Sequence, residues 1–498
     1  MNNASFYELL ADGLQLWLKG EQIGFKVFQG KLSPELREKL VAAKPDLLRT
    51  LLPGRRYSLC SFPQQRLWFL EQFEGASPVY NIHATHMLCG KLNMSALQQS
   101  VDRLIQRHEA FRTSFHALDG QPYQQIHDSM MLQIPVKDLS AESEANQPAK
   151  LQQLLVEEVE TEFELETAPL IRVKLYKLAE EKHALLILTH HIIFDGWSLG
   201  LTINELSANY SAICAGEDSE TTMPGVQYSD HVMWQREWFL GDGAQRQLDY
   251  WTEKLSGELA PLELPYDKPR PPIQSIDGDV EFDRFEADLI QKMSERARQE
   301  NVSLFMFLVT AVNVLIMRYS NQEDILLGMP VANRKRKEVE SIVGYFANTL
   351  VLRNDLSGNP TFSEMLQRVR AVCLEAFNNE DTPFEQIVGV LQPERDRSRT
   401  PIFQAMVSYD ETASHARSMG ELTMERLSVE RKVARTDLAI WLTKESDHIR
   451  FAFEYASHLF ERNTIKRLVA GMKSLAEAAA ADTSIAISEL PVMPAQEE

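Results

Sequence analysis

Cysteine is scarce in this sequence of 498 residues, which contains only Cys60, Cys89, Cys214 and Cys373. The four are scattered and form neither a Cys-x-x-Cys pair nor a cysteine and histidine cluster with the spacing of metal ligands. This usage excludes a disulfide-stapled secreted scaffold and gives no sign of a structural zinc site. We therefore expect a protein of the reducing cytoplasm that binds no metal.

Long apolar runs are also missing. The N-terminal residues carry acids and lack the basic region and apolar core of a secretory signal peptide. The most apolar segment, residues 303–317, contains Asn313 and is followed by Arg318, so it falls short of the roughly 20 apolar residues that cross a bilayer. This segment predicts a buried helix, and we expect no membrane association.

Positive charge is in deficit over the chain as a whole. Lys and Arg number 51 against 71 Asp and Glu, which gives a formal net charge of −20. Such a balance argues against a general binder of nucleic acid or of anionic membranes. The deficit is uneven, because residues 1–56 hold nine bases and six acids, a net of +3 that leaves −23 for the remainder. A basic head on an acidic body indicates separate modules.

Residues 1–52 have the pattern of a small separate domain. A helical segment ends at Gly13, and two alternating strands joined at Lys19-Gly20-Glu21 are typical of a hairpin. Ser33-Pro34-Glu35 predicts a helix start, and a second helix is expected after Pro45. Residues 53–57 are predicted to be a linker. An N-terminal subdomain packed on the rest is the alternative, but the linker and the charge contrast favour an independent module.

Residues 189–200, THHIIFDGWSLG, are the sharpest local feature of the sequence. If the preceding strand continues through them, His190 and His191 point to opposite faces, so one is structural and the other faces a site. Asp195 follows where the strand turns and can fix the loop through a salt bridge or backbone hydrogen bonds. Gly196 permits an unusual backbone angle or a close approach. The alternative is a core strand that happens to contain two histidines.

A rival interpretation starts at Gly196, because residues 196–200 match the G-x-S-x-G elbow of serine hydrolases. Ser198 would be the nucleophile, and His415, His448 or His458 could supply the base. The motif is short and leaves the two histidines and Asp195 without a purpose. A chance match is therefore favoured.

Seven segments in order resemble the motifs of the condensation domains of nonribosomal peptide synthetases. They are SFPQQRLWFL at 61–70, RHEAFRTSF at 107–115, HHIIFDG at 190–196, YSDHVMW at 228–234, VGYFANT at 343–349, NEDTPFE at 379–385 and RDRSRTPIFQ at 395–404. HHIIFDG fits the family's HHxxxDG signature in full. Pro63 and Ala347 replace the usual Ala and Val, and Asn379 and Glu380 replace the usual His and Gln.

The resemblance implies a mixed α/β fold of two lobes, each like chloramphenicol acetyltransferase, in a V-shaped pseudodimer with a tunnel between them. Residues 58–225 would form the N-terminal lobe and 226–486 the C-terminal lobe. Residues 487–498 would begin a linker to a downstream domain.

The resemblance also implies amide formation between a donor acyl thioester and the α-amine of an acceptor. Both would arrive on the phosphopantetheine arms of carrier domains, with no cofactor bound permanently. His191 would be the catalytic residue, with His190, Asp195 and Gly196 in support. We expect Arg334 to pair with Asp195. The polar tunnel lining is expected to include four further residues, Trp197, Ser198, Tyr345 and Asn348.

The sequence leaves the role of His191 open. It could act as a general base, position the amine or stabilise the oxyanion. A catalytically silent domain that only recruits carriers is the remaining alternative, and the intact HHxxxDG argues against it.

Residues 1–52 resemble the TubC-type docking domains of synthetase subunits, which imply an αββαα fold. Such a domain receives the C-terminal tail of an upstream subunit, partly by strand addition and partly through charge. Lys19, Lys26, Lys31 and Arg37 favour an acidic tail, although the bases could merely keep the domain soluble. The expected partners are that tail, the donor and acceptor carrier domains and a downstream adenylation domain of the same subunit. We expect a monomer that binds no nucleic acid.

Overall fold

The computed structural model describes residues 4–27, 32–74, 77–217, 222–394, 396–411, 418–429, 432–445 and 447–493. They form two compact units that alternate along the chain. The first contains the described residues of Met1–Gln245, Ala332–Ala347 and His415–Glu430, and the second contains the others.

The first 239 residues contain seven helices and nine strands among the parts described. They are α1 (Ala4–Ala11), β1 (Leu14–Lys19), β2 (Gln22–Val27), α2 (Pro34–Thr50), β3 (Arg55–Leu59), α3 (Phe62–Glu74), β4 (Asn81–Cys89), α4 (Met94–Arg107), β5 (Thr113–Leu118), β6 (Gln121–His127), β7 (Val136–Asp138), α5 (Gln147–Val159), β8 (Ile171–Ala179), β9 (Lys182–His190), α6 (Gly196–Ala215) and α7 (Tyr228–Phe239).

The later elements follow in the same order. They are α8 (Asp242–Lys254), β10 (Gly278–Glu286), α9 (Ala287–Gln299), α10 (Leu304–Ser320), β11 (Asp324–Val331), α11 (Lys337–Glu340), β12 (Asn348–Asp355), α12 (Phe362–Asn378), α13 (Phe384–Leu391), β13 (Ala405–Asp410), β14 (Ser418–Met419), β15 (Leu422–Arg426), β16 (Leu438–Lys444), β17 (His448–Ala456) and α14 (Arg462–Ala481).

The N-terminal domain has the predicted hairpin but one long second helix instead of two. Ser33 caps α2 by accepting the backbone N–H of Leu36, as its position before Pro34 predicts. The expected break at Pro45 is absent, because α2 continues to Thr50. Its buried residues Leu40, Ala43 and Leu47 form one apolar stripe on both sides of Pro45. Burial of this stripe offsets the backbone hydrogen bond that proline removes.

The predicted linker at residues 53–57 is largely a strand. Arg55–Leu59 forms β3, which pairs with β1 on one side and with β6 on the other. The result is a five-stranded sheet in the order β2-β1-β3-β6-β5 that runs through the N-terminal domain and the body behind it. The N-terminal domain is thus packed against the rest of the first unit through this sheet.

A second sheet of the first unit carries the histidine motif. Its six strands have the order β14-β15-β4-β9-β8-β7, and β9 is paired on both edges. The late strand β15 reaches this sheet by antiparallel pairing with β4. The predicted lobe boundaries therefore differ from the packing, because α7, residues 332–347 and β14–β15 all belong to the first unit.

The second unit is built on one six-stranded sheet in the order β10-β17-β16-β13-β11-β12. The apolar segment predicted as a buried helix is α10, whose residues 306–316 are buried between α12 and α14. Within the described residues no single helix combines the length and apolar composition of a membrane span. Helices α9 and α10 have that length and composition only when they are taken together, and a bend of 100° separates them.

Part of the predicted downstream linker is packed into the second unit. Ile487 and Leu490 are buried in its core. The Ile487 N–H donates to the Pro360 carbonyl, and Arg318 donates to that of Leu490. Residues 487–493 therefore continue the fold, and 494–498 lie outside the described residues.

Candidate active site

The histidine motif lies where β9 ends and α6 begins in the first unit. The strand stops at His190, a short 3-10 turn spans His191–Ile193, and Asp195 is the N-cap of α6. The strand therefore does not continue through the motif as the alternation argument assumed. The two histidines still differ in environment, because His190 is 1% exposed whereas His191 is half-buried.

His190 is held in place by hydrogen bonds at both ring nitrogens. Its Nδ1 accepts the backbone N–H of Ile192 at 3.2 Å, so that nitrogen carries no proton. In the neutral ring Nε2 is then protonated, and it donates to Oε1 of the buried Glu71 at 3.0 Å. The rings of Tyr80 and Phe163 lie edge-on to the imidazole. These contacts use both ring nitrogens of His190 within the protein.

His191 has the opposite tautomer. Its Nδ1 lies 2.7 Å from the carbonyl oxygen of Phe194, which can only accept, so Nδ1 carries the proton. Nε2 is then the basic nitrogen of the neutral ring. The Tyr345 ring packs against the imidazole with 4.5 Å between ring centroids. A fixed tautomer and a packed ring face suit a general base or a hydrogen-bond acceptor for an amine.

Asp195 organises the loop through buried hydrogen bonds. Its Oδ1 accepts the N–H of Ser198 at 2.8 Å and so caps α6. Its Oδ2 accepts the N–H of Phe346 at 3.0 Å. One carboxylate thereby fixes both the start of α6 and the segment that carries Tyr345.

Arg334 lies against Asp195, as the sequence analysis expected. Its Nη2 is 3.2 Å from Oδ1 of Asp195, and its Nη1 donates to the carbonyls of Val339 and Ile342 at 2.6 Å each. The guanidinium carbon lies 3.9 Å from the centroid of the Phe346 ring. Burial lowers the pKa of Arg334, and the charge of Asp195 opposes that effect.

Ser198 is not placed as a hydrolase nucleophile. Its side chain is 0% exposed and its Oγ donates to the carbonyl of Gly344 at 3.0 Å. The same oxygen accepts from the N–H of Gly344 and from Nη2 of Arg334. The hydroxyl therefore joins α6 to residues 334–344. His448 and His458 belong to the second unit, and His415 lies outside the described residues.

Gly196 does not have the unusual backbone expected of it. It is the first residue of α6, it is absent from the residues with positive φ, and a Cβ there would meet nothing within 4 Å. Gly344, in contrast, is required by a close approach, because a Cβ would lie 2.1 Å from Cδ2 of Tyr228. Packing therefore explains the glycine at position 344, in the VGYFANT segment, but not the glycine at position 196.

Besides Ser198, the three other expected lining residues lie in different environments. Trp197 is 39% exposed and its Nε1 donates to the carbonyl of Glu340. Tyr345 contacts His191, and its carbonyl accepts the hydroxyl proton of Tyr228 at 2.6 Å. Asn348 lies in the second unit, where Nδ2 donates to the carbonyls of Glu380 and Thr382 and Oδ1 accepts from Phe384. Asn348 therefore anchors the segment before α13.

The predicted docking bases are differently placed. Lys19 and Arg37 are exposed on the N-terminal domain. Lys26 forms an ion pair with Asp230 of α7, with 2.6 Å between Nζ and Oδ1. Lys31 lies outside the described residues.

Several supporting residues were missed at the sequence level. Glu71 fixes His190, Gln64 donates to the carbonyl of Ile192 at 3.0 Å, and Tyr228 holds Tyr345. Gln64 and Tyr228 occur in segments that resemble family motifs, and this resemblance could have indicated their importance. Glu71 follows the first motif by one residue and had no signal of its own.

Comparison with known proteins identifies both parts of the chain. Residues 55–498 match the condensation domain family, and residues 6–52 match the TubC N-terminal docking domain. Subunits D and B of linear gramicidin synthase from Brevibacillus parabrevis are 39% identical over 88% and 94% of the chain. Chondramide synthase cmdD from Chondromyces crocatus is 38% identical over 87%. The chain spans only 9–11% of the length of these relatives.

Solved structures agree with the fold. The X-domain from teicoplanin biosynthesis has a TM-score of 0.79 and 26% identity, covering 87% of this chain and 97% of that one. Holo-AB3403, a four-domain nonribosomal peptide synthetase, has a TM-score of 0.79 at 20% identity, covering 89% of this chain and 34% of that one. The expected mixed α/β fold is confirmed. The chain belongs to the condensation domains of nonribosomal peptide synthetases, an amide-forming enzyme family that works with carrier-bound substrates, and it carries a TubC-type docking domain at residues 6–52.

Proposed function

We propose that this chain joins a donor peptidyl or aminoacyl thioester to the α-amine of an acceptor aminoacyl thioester. The observation that carries the proposal is the tautomer of His191, which makes Nε2 the basic nitrogen beside a packed tyrosine ring. Both substrates arrive on phosphopantetheine arms of carrier domains, and the product stays on the acceptor arm.

The reaction needs one proton to move from nitrogen to sulfur. The acceptor nitrogen attacks the thioester carbonyl, a C–N bond forms, and the C–S bond breaks to release the donor thiol. His191 Nε2 accepts a hydrogen bond from the attacking amine and takes up its proton as the nitrogen becomes cationic. The imidazolium then supplies that proton to the departing sulfur. An α-amine has a pKa of about 8, so a modest base suffices at neutral pH.

Much of the acceleration in this proposal comes from holding two tethered substrates together. The second contribution is the rigid support of the loop by His190, Asp195 and Arg334. These residues position His191 and do not contact the reacting atoms.

The partners follow from the two domains. The docking domain receives an acidic C-terminal tail of an upstream subunit along the free edge of β2, the outer strand of its sheet. Lys19 and Arg37 attract that tail through charge. Donor and acceptor carriers bind the condensation domain, an adenylation domain follows it in the same subunit, and the assembly works as a monomer in the cytoplasm.

The direct test supplies donor and acceptor aminoacyl thioesters on separate carriers and follows the acceptor arm by mass spectrometry. We expect an amide product that forms only in the presence of the chain and raises the mass of the acceptor arm by that of the donor acyl group less one hydrogen. Carrier binding without any amide above the background rate would replace this proposal with a recruiting domain.

A further inference from the structure

The docking domain shares a sheet and a core with the condensation domain. In the pairing of β1 with β3, Leu16 lies opposite Tyr57 and Trp17 opposite Arg56. The Phe6 ring of α1 lies 5.7 Å from the Tyr57 ring, measured between centroids. The buried cluster formed by the docking domain also contains several residues of α7 and the 339–346 segment, namely Tyr228, Val232, Val339, Ile342 and Phe346.

A charged contact crosses the same boundary. Lys26 Nζ of β2 lies 2.6 Å from Oδ1 of Asp230. The other oxygen of Asp230 accepts the N–H of Gln227 at 3.0 Å and so closes the N-terminal end of α7. Lys26 therefore pairs with the carboxylate that caps this helix.

Helix α7 in turn holds the active-site segment. The buried Tyr228 donates its hydroxyl proton to the carbonyl of Tyr345, whose ring packs on His191. The His231 ring lies 4.5 Å from the Phe346 ring, measured between centroids. The docking domain thus contacts the same helix and segment that hold the catalytic loop.

We propose a second function for residues 6–52: they support the active site by fixing α7 and residues 339–346, independently of any docking tail. The inference rests on the proposed condensation activity, because turnover is its readout. A domain that only recruits the upstream subunit needs no shared core and no contact with the cap of α7. Lys26, one of the bases expected at the docking surface, is instead engaged with Asp230 of α7.

The test uses the full chain with a donor carrier that lacks an upstream tail, supplied at saturating concentration. We expect Lys26→Met to lower kcat by about twofold to fivefold, as expected for loss of a partly exposed ion pair. The matched control is Lys39→Met, because Lys39 pairs with Asp12 at 2.7 Å inside the docking domain. The control should leave kcat unchanged.

A change on the helix side of the ion pair separates support from docking. Asp230→Asn removes the charge opposite Lys26 but keeps an amide oxygen that can accept the N–H of Gln227, and it leaves every base of the docking domain in place. We expect this variant to lose tail-less turnover to the same extent as Lys26→Met, while a donor with an acidic tail binds with undiminished affinity. Phe6→Leu, which removes the ring contact with Tyr57, should lower tail-less turnover at a temperature where thermal unfolding shows the variant folded.

Normal tail-less turnover in Lys26→Met and Phe6→Leu would overturn the proposal and leave recruitment as the only function of residues 6–52. Failure of the unmodified chain to form any amide would instead contradict the proposed function itself.

Discussion

Arg334 and Asp195 form a buried ion pair between positions 139 residues apart in sequence, with Nη2 of Arg334 3.2 Å from Oδ1 and 3.4 Å from Oδ2 of the carboxylate. Their side chains are 1% and 2% exposed. Both also bond to backbone groups, so the pair joins the start of α6 to residues 334–346. The loop that presents His191 is therefore fixed by charge as well as by packing.

Removal of this arginine should be strongly destabilising. Arg334→Leu leaves Asp195 as a buried and unpaired carboxylate, which typically costs about 3–5 kcal/mol in the free energy of unfolding. The matched control is Arg336→Leu, because Arg336 is exposed and lies over the Trp234 ring. Urea unfolding of both variants measures the difference. Equal losses in the free energy of unfolding would show that breaking the buried ion pair costs no more than removing an exposed arginine.

Ser198 should behave as a structural hydroxyl. Ser198→Ala leaves the carbonyl of Gly344 without its donor, which we expect to cost about 1–3 kcal/mol in urea unfolding. A fluorophosphonate probe should not label the unmodified chain at this residue, because the hydroxyl is buried. Labelling that disappears in Ser198→Ala would instead support the hydrolase alternative.

The Tyr345 ring should matter more than its hydroxyl. Tyr345→Ala removes the ring that packs on His191, an aromatic contact typically worth about 0.5–1.5 kcal/mol. We expect kcat for condensation to fall by about threefold to tenfold, with the acceptor KM little changed. Tyr345→Phe keeps the ring and should retain more activity than Tyr345→Ala in single-turnover assays. A larger effect of Phe than of Ala would contradict this role.

His231 should make the fold sensitive to acid. Burial, with Arg334 and Arg336 nearby, lowers the pKa of His231 to about 3 from its ordinary 6.5. Below pH 6.5 the unfolded state therefore binds a proton at His231, whereas the folded state leaves this imidazole neutral. Stability should fall by up to about 1.4 kcal/mol per pH unit from this group as the pH drops from 6.5 toward 3. His231→Phe should reduce that slope between pH 6.5 and 5, as measured by urea unfolding, and should leave the pH dependence at pH 8 unaltered. An unchanged acid slope would exclude His231 as its source.

The sequence predicted the parts of the site that depend on local chemistry. At its position after the strand, Asp195 is expected to fix the loop through a salt bridge or backbone hydrogen bonds, and it makes both. The position of residues 303–317 as a core helix followed from composition alone. The apolar character of this segment is visible in adjacent residues, whereas the pairing of Asp195 with Arg334 joins positions 139 residues apart.

What the sequence missed depends on tertiary packing. Pro45 predicts a helix end, yet the stripe of Leu40, Ala43 and Leu47 keeps α2 intact. Arg55 and Arg56 were interpreted as linker because glycine and proline precede them, whereas pairing with β1 and β6 makes them a strand. The Lys26–Asp230 contact joins residues 204 positions apart, and no local pattern specifies it.

His191→Ala in a single-turnover assay tests the central claim most directly. With donor and acceptor thioesters loaded on saturating carriers, we predict a rate about 10²–10⁴-fold below that of the unmodified chain, which is the usual contribution of a general base. Carrier affinity should remain the same, and His448→Ala in the second unit should keep the full rate. Condensation by His191→Ala at the unmodified rate would contradict the assignment of His191 as the catalytic residue.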